Sequence, residues 1–362
     1  MSDLKYWVAL NNVEGLGPVH FRQLLKYAGD VEAAWNTSAS DLKKLNFSKG
    51  LVENFSKIQR SLDLRTTMEG LNKLGVEVIT ISSPNYPALL KKIYDPPFVL
   101  YVRGRLKKED ELAVAVVGSR KMTRYGREVT ENLVQNLVAH GLTIVSGLAF
   151  GVDLASHQAA LDAGGRVVAV LASGVDIITP TSNTFLAERI LEEGQGAIIS
   201  EHPLGTTPLK HFFPIRNRII SGLALGTLVV EATKKSGTAH TARAALEQGR
   251  EVFAVPGSIF SPLSVGTHHL IKDGAKLVNS VEDILEELQL EARSLKLEAR
   301  EVVPDSPEEE EILKILGNDE IHVDEIIQES NLSTSAVTST LTMMEMKGKV
   351  KNLGNQVYRI AR

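Results

Sequence analysis

Ala113-Val114-Ala115-Val116-Val117-Gly118-Ser119-Arg120-Lys121 decides the fold. An unbroken apolar run followed by a Gly-Ser turn reads as a strand buried on both faces, because a strand with one wet face alternates apolar and polar residues. Arg124–His140 then has the length and spacing of a helix. The same unit recurs downstream. Apolar runs stand at Thr143–Val145, Val167–Leu171, Ala197–Ile199, Thr227–Val230 and Val252–Val255, with helix-length segments such as Thr238–Gly249 between them. Alternating strands and helices imply an α/β domain built on a Rossmann-like, doubly wound, mainly parallel sheet with right-handed crossovers. In such sheets ligands bind beyond the carboxyl ends of the strands.

Those strand ends carry anion chemistry. The first is followed by Gly118, Ser119, Arg120 and Lys121, then Arg124, Gly126 and Arg127. A small turn lets backbone amides approach an anion at a helix start, and the basic side chains add charge. It is not a G-x-G-x-x-G turn, and the next strand ends in Ser146-Gly147 instead of the acid that holds a dinucleotide ribose, so a dinucleotide oxidoreductase is disfavoured. Ser146, Gly147 and Gly151 make a second compact turn. Asp153 beside it is expected to cap a helix or support the loop, and with His157 to form a structural Asp–His pair rather than a metal site. A third strand end carries Glu231, Lys234, Lys235, Ser236, Gly237 and Thr238, with Glu231 organising the loop. His268 and His269 are adjacent, so they do not face one another on a helix and make no zinc site. Neither a nucleophile with its base nor a metal-ligand cluster is evident, and no cofactor is implied.

Phe213-Pro214-Ile215-Arg216-Asn217-Arg218-Ile219-Ile220-Ser221-Gly222 adds two arginines around an amide. Each guanidinium offers five donors in a planar fork. Beside a proline turn, in a connecting loop, Arg216, Asn217 and Arg218 are expected to form a phosphate clamp; the plainer alternative is a pair of surface or ion-paired arginines. Several anion seats on one sheet edge are more than one small phosphate needs. A track of successive phosphates, a single-stranded nucleic acid, fits better.

Around this core the chain of 362 residues divides further. Residues 1–80 read as a small helical domain in which Gly15-Leu16-Gly17-Pro18 joins two helices like a helix-hairpin-helix; a plain tight turn is the alternative. Residues 81–290 form the Rossmann-like domain, with a strand-containing, proline-punctuated extension over 81–112. Residues 291–307 are a linker. Residues 308–362 read as a winged helix, with helices at Glu308–Leu316, Val323–Glu329 and Ser333–Met346 before a hairpin. The third of these helices carries hydroxyls and no basic residue before Lys347, which favours a protein-contact or structural role over DNA reading.

The net charge of −4 does not exclude a nucleic acid. Residues 281–311 hold 12 acidic against 3 basic side chains, which leaves the rest of the chain at +5. Location matters more than the total. There are 0 cysteines, so disulfides and thiolate zinc sites are excluded and a reducing compartment is the natural expectation. No apolar run is long enough to span a bilayer, and Met1-Ser2-Asp3-Leu4-Lys5 lacks the pattern of a secretory signal, so the cytoplasm is expected.

Taken together the blocks resemble the DNA processing protein A family, DprA/Smf. The likeness is carried by Gly118-Ser119-Arg120, Ser146-Gly147-Leu148-Ala149-Phe150-Gly151-Val152-Asp153, Ser200-Glu201, Pro214-Ile215-Arg216-Asn217-Arg218-Ile219, Ser236-Gly237-Thr238, Ala254-Val255-Pro256-Gly257, and Gly266-Thr267 with Leu270-Ile271. It covers nearly the whole chain in order. The resemblance implies a non-enzymatic protein that binds and protects incoming single-stranded DNA in natural transformation, loads the recombinase RecA onto it, and dimerises through the Rossmann-like domain. Carried over residue by residue, it implies that Ser119, Arg120, Gly147, Arg216, Asn217, Arg218, Ser236, Gly237 and Thr238 line the DNA pocket. There are departures: no basic residue stands close to Thr181, His268 replaces a common Asn, and Ala224 replaces a common Ser. A different class with a similar sheet, the lysine-decarboxylase-like phosphoribohydrolases, carries Pro-Gly-Gly-x-Gly-Thr, which Thr233–Thr238 lacks. A purely structural adaptor with a vestigial pocket is a third alternative.

Overall fold

The computed structural model describes residues 3–234, 236–290, 304–317, 321–347, 349–352, 354 and 356–360. Most of the expected linker, 291–303, lies outside the described residues. Two units are distinct, residues 1–293 and 294–362.

The first unit opens with α1 (Leu4–Asn11), α2 (Pro18–Ala28), α3 (Val31–Trp35), α4 (Ala39–Lys44), α5 (Lys49–Ser61) and α6 (Leu64–Lys73). Their starts are written locally. Asp30, Ser38, Ser48 and Asp63 each accept a hydrogen bond from an amide of the turn they precede, and Pro18 occupies the first turn of α2, where a missing N–H costs nothing. Phe21 of α2 stacks on Phe98 with centroids 4.0 Å apart, so these helices share a core with the sheet that follows.

That sheet contains β1 (Glu77–Thr80), β2 (Val99–Gly104), β3 (Ala113–Val117), β4 (Thr143–Ser146), β5 (Val167–Val170), β6 (Gly196–Ser200), β7 (Gly226–Val229), β8 (Glu251–Ala254) and β9 (Lys276–Leu277). Between them run α7 (Ala88–Lys91), α8 (Arg124–Ala139), α9 (Val152–Asp162), α10 (Thr184–Glu192), α11 (Phe212–Leu223), α12 (Thr238–Glu247) and α13 (Val265–Lys272), and α14 (Val281–Glu287) follows. The strand order is β1-β2-β6-β5-β4-β3-β7-β8-β9. β3 to β9 are parallel to their neighbours, and β1 and β2 extend one edge antiparallel. The continuous apolar runs serve two cores by alternation. Val114, Val116, Val167 and Ala169 join one, while Ala115, Val117, Val168 and Val170 join the other. The chain winds from β3 outward to β6, then returns to add β7 on the other side of β3. The gap between the carboxyl ends of β3 and β7 is therefore the topological switch point.

The second unit is a winged helix: α15 (Pro307–Leu316), β10 (Ile321–His322), α16 (Val323–Glu329), α17 (Thr334–Met346), β11 (Val350–Asn352) and β12 (Val357–Ile360). Ile312, Leu316, Val323, Ile326, Val337, Leu341, Met344 and Val350 form its core. Buried Glu309 is neutralised there by Lys347 at 2.9 Å and Lys349 at 2.6 Å. No helix among the described residues is long and apolar enough to cross a membrane.

Candidate binding cleft

A cleft of about 610 Å³ opens at the switch point. Its walls are the turn Gly118–Arg120 after β3, Ala149 and Asp153 after β4, the turn Ser236–Thr238 before α12, and the first half of α11. Two helix starts, those of α9 and α12, therefore meet around one space, and each contributes the partial positive charge of its unbonded amides.

Glu231 ties the two sides of the switch point together. Its carboxylate accepts from Thr123 N (2.9 Å) and Thr123 Oγ1 (2.6 Å), and Thr123 caps α8 by accepting from Gly126 N (3.1 Å). The organising role expected of Glu231 is thus realised across the sheet, between the loop after β7 and the start of α8.

Arg216 lies beneath the cleft. Only 3% of it is exposed, and its Nη1 donates to Gly147 O (2.9 Å) and to Val170 O. It thereby joins the carboxyl ends of β4 and β5. Burial lowers its pKa to about 10 against the opposing pull of the Asp153 carboxylate, and Arg120 lowers it further, so it remains charged at neutral pH. Asp153 accepts from Gly147 N (3.1 Å), as a loop-supporting residue should. Burial raises the Asp153 pKa, and Arg216 opposes that rise. Gly147 has its N–H committed to Asp153 and its carbonyl to Arg216. A Cβ there would collide with the Arg216 guanidinium, which makes glycine the residue that fits.

Two expectations are corrected. Arg216 and Arg218 stand on α11, not in a connecting loop, and their guanidinia do not form a joint clamp. Residues two apart on a helix point to opposite sides. Arg218 turns away to an ion pair with Glu201 (Nη2 to Oε2, 2.5 Å), and its Nε lies 2.9 Å from Asp95 Oδ2 without hydrogen-bond alignment. Pro214 does not break the chain because it sits in the first turn of α11. Nor do Asp153 and His157 pair. Both ring nitrogens of fully buried His157 lack a partner, and burial holds its pKa near 3, helped by Arg216.

The other expected residues divide by position. Gly118, Ser119, Arg120, Asn217, Ser236, Gly237 and Thr238 line the cleft together. Ser146 is fully buried, and its hydroxyl donates to Val116 O (2.6 Å). Lys121, Arg124 and Lys234 are exposed near the rim but do not line it, and Arg124 pairs with Glu128 at 2.7 Å. Lys235 lies outside the described residues. The cleft also holds Phe213, which opens the arginine motif, and Lys210 and His240, which no motif marked. Arg120 is exposed and lies 5.1 Å from the Phe213 ring centroid, a cation–π pair that aims the guanidinium along the cleft wall.

What the cleft offers is cations on flexible stems, an aromatic face, an amide and two helix starts, with the buried Arg216 charge beneath. That combination takes phosphates and an unstacked base.

Comparison with known proteins agrees with this geometry. Residues 77–289 match the family model described as DNA recombination-mediator protein A, and residues 296–356 match the DprA winged helix domain. Protein Smf of Escherichia coli (strain K12) is 36% identical over 376 residues, covering 100% of this chain and 97% of that protein. The crystal structure of DNA processing protein A from Streptococcus pneumoniae superposes with a TM-score of 0.69 at 37% identity, covering 78% of this chain and 97% of that one. DNA processing protein A from Helicobacter pylori, solved for its single-stranded DNA binding mode, gives a TM-score of 0.53 at 30% identity over 59% of this chain and 96% of that one.

Proposed function

The chain belongs to the DNA recombination-mediator protein A (DprA/Smf) family, and from that premise we propose that it binds single-stranded DNA in the switch-point cleft. The single observation that carries the proposal is the meeting of the turns Gly118–Arg120 and Ser236–Thr238 with the exposed cations Arg120 and Lys210 around one open cleft. Phosphates seat on the helix starts and on these side chains, and Asn217 and His240 add polar contacts. Bases splay onto apolar surface such as Phe213. Gly147 and Arg216 act from below, shaping the floor and supplying charge, while Arg218, Lys121, Arg124 and Lys234 serve the approaches.

A single strand can follow such a path turn by turn. Duplex DNA, stiff over about 150 base pairs, cannot. The proposal extends to a binding protein without bond-making chemistry, acting in the cytoplasm in DNA uptake and recombination, that delivers the strand to RecA. Pairing of two copies through the Rossmann-like domain would join two tracks and raise avidity on a long strand. Residues 1–80 and 308–362 flank this domain as accessory modules.

Fluorescence anisotropy of labelled single-stranded and duplex oligonucleotides across a salt series tests the binding proposal. Expected are preferential single-strand binding and, for Arg120→Ala or Lys210→Ala, a salt slope reduced by about 0.7 per lost phosphate contact. Equal affinity for duplex, or binding untouched by both substitutions, would overturn it. Release of free base from a nucleoside monophosphate would favour the phosphoribohydrolase class instead.

A further inference from the structure

A second cavity, of about 500 Å³, adjoins the first. The two share Pro214 and His240 in their linings, so they are successive stations on one surface, separated by that ridge. We propose that the second cavity is a base-binding subsite that favours nucleobases carrying an exocyclic amine. This rests on the single-strand proposal above and extends the strand's path past α11.

Its chemistry differs from that of the first cavity. Tyr94, 81% exposed, supplies a large aromatic wall with nothing stacked on it among the described residues. Arg243 and Glu247 of α12 line the same cavity, with Arg218, Asp95 and Gln248. Asp95 and Glu247 balance the guanidinia of Arg218 and Arg243 in this lining, so it has no excess positive charge to make it a second anion seat. Carboxylates instead accept hydrogen bonds from amines such as cytosine N4, which thymine lacks. Asp95 is already engaged by Arg218. Glu247, exposed on the last turn of α12, is the carboxylate placed to read a base edge. Arg243 and His240, both exposed in the lining, suit the flanking phosphate.

Unsatisfied polar atoms support an occupant here. Arg218 Nη1 and Gln248 Oε1 belong to lining residues, and Glu201 Oε1 lies against Arg218; all three are buried without a hydrogen-bond partner. Buried polar atoms of this kind call for a ligand or an ordered water. The aromatic wall is held from behind as well. Arg22 of α2 donates from Nη2 to Tyr94 O (3.1 Å), so the N-terminal helices position the segment that carries the ring. An indirect role for the helical segment in the strand's path follows, without any contact between those helices and DNA.

The test compares short oligo-dC and oligo-dT strands, two pyrimidine homopolymers that differ at the amine, by anisotropy with the full chain. Wild type should bind dC about 5-fold more tightly than dT, the low end of what one base-edge contact discriminates. Tyr94→Ala should weaken both by about 5-fold or more, the low end for losing a stacking face. Glu247→Ala should collapse the dC-to-dT ratio towards one, chiefly by weakening dC, whose amine loses its acceptor, while dT binding is kept or slightly tightened. A ratio of one in wild type, or a ratio and affinities that neither substitution moves, would overturn the subsite while leaving single-strand binding standing. If no single strand binds at all, it is the broader proposal that fails.

Discussion

Arg216→Ala is expected to act on the fold before it acts on DNA. The Arg216 guanidinium satisfies two carbonyls, Gly147 O and Val170 O, in a region closed to water. Truncation leaves both acceptors unpaired, at about 1–3 kcal/mol each. It also strips the balancing charge from Asp153, whose carboxyl is already pushed towards protonation by burial. Together the loss is roughly 3–6 kcal/mol, a large share of the ~5–15 kcal/mol that holds a typical domain. Arg120→Ala removes an exposed side chain whose visible contact is a cation–π pair, so it should cost at most about 1 kcal/mol. Urea denaturation of the two variants and wild type, run beside DNA anisotropy on the same preparations, separates the cases. Arg216→Ala should lower the urea midpoint by about 1 M or more, whereas Arg120→Ala should keep the midpoint and lose affinity. Arg216→Lys should fall between, since one ammonium keeps the charge but cannot reproduce the guanidinium's reach. The reasoning fails if Arg216→Ala unfolds at the wild-type midpoint yet no longer binds DNA, because the guanidinium would then be a direct ligand and not a strut.

Three further expectations concern the same region. Gly147→Ala places a methyl group against the Arg216 guanidinium and should destabilise by about 1–3 kcal/mol; a neutral result in thermal unfolding would show that the floor yields freely. Glu231→Ala removes both Thr123 bonds and should cost about 2–4 kcal/mol, together with weaker DNA binding as the start of α8 loosens, and an unchanged melting temperature would contradict the stitch. Stability should also fall in mild acid. His157 titrates near 3 in the fold, well below its unfolded value of about 6.5, so the unfolded chain binds the proton first. Its contribution is complete above pH about 6.5 and is lost as pH drops towards 3, by about 2 kcal/mol at pH 5. His202, lowered to about 4 by burial and by Arg218, adds in the same direction. Equal urea midpoints at pH 7 and pH 5 for wild type would refute this, and His157→Leu should flatten the wild-type slope.

The strands and helix starts were legible in the residues because their causes are local. Val114 to Val117 alternate between two apolar cores, so no polar residue is tolerated in the run. Thr123, Ser48 and Ser333 cap helices with their own side chains. Small residues mark the turns Gly118-Ser119 and Ser236-Gly237, and the switch-point rule brings them to one edge, where both line the cleft. The placement of β1 and β2 on the outer edge beside β6 was not readable, since edge pairing depends on which strand is left open after the sheet has wound.

The sequence by itself determined which segments alternate, which strand ends carry small turns and basic residues, and to which family the motifs belong. Tertiary structure alone decided what each cation does. Pro214 marked a turn in the sequence, yet it falls in the first turn of α11, and on a helix two residues apart means opposite faces. Arg216 consequently points inward to strand-end carbonyls and Arg218 outward to Asp95 and Glu201, whereas Lys210 and His240, unmarked by any motif, face the cleft. Residue type announces a charge, but only the helix phase and the neighbouring strand ends determine whether that charge meets protein or solvent.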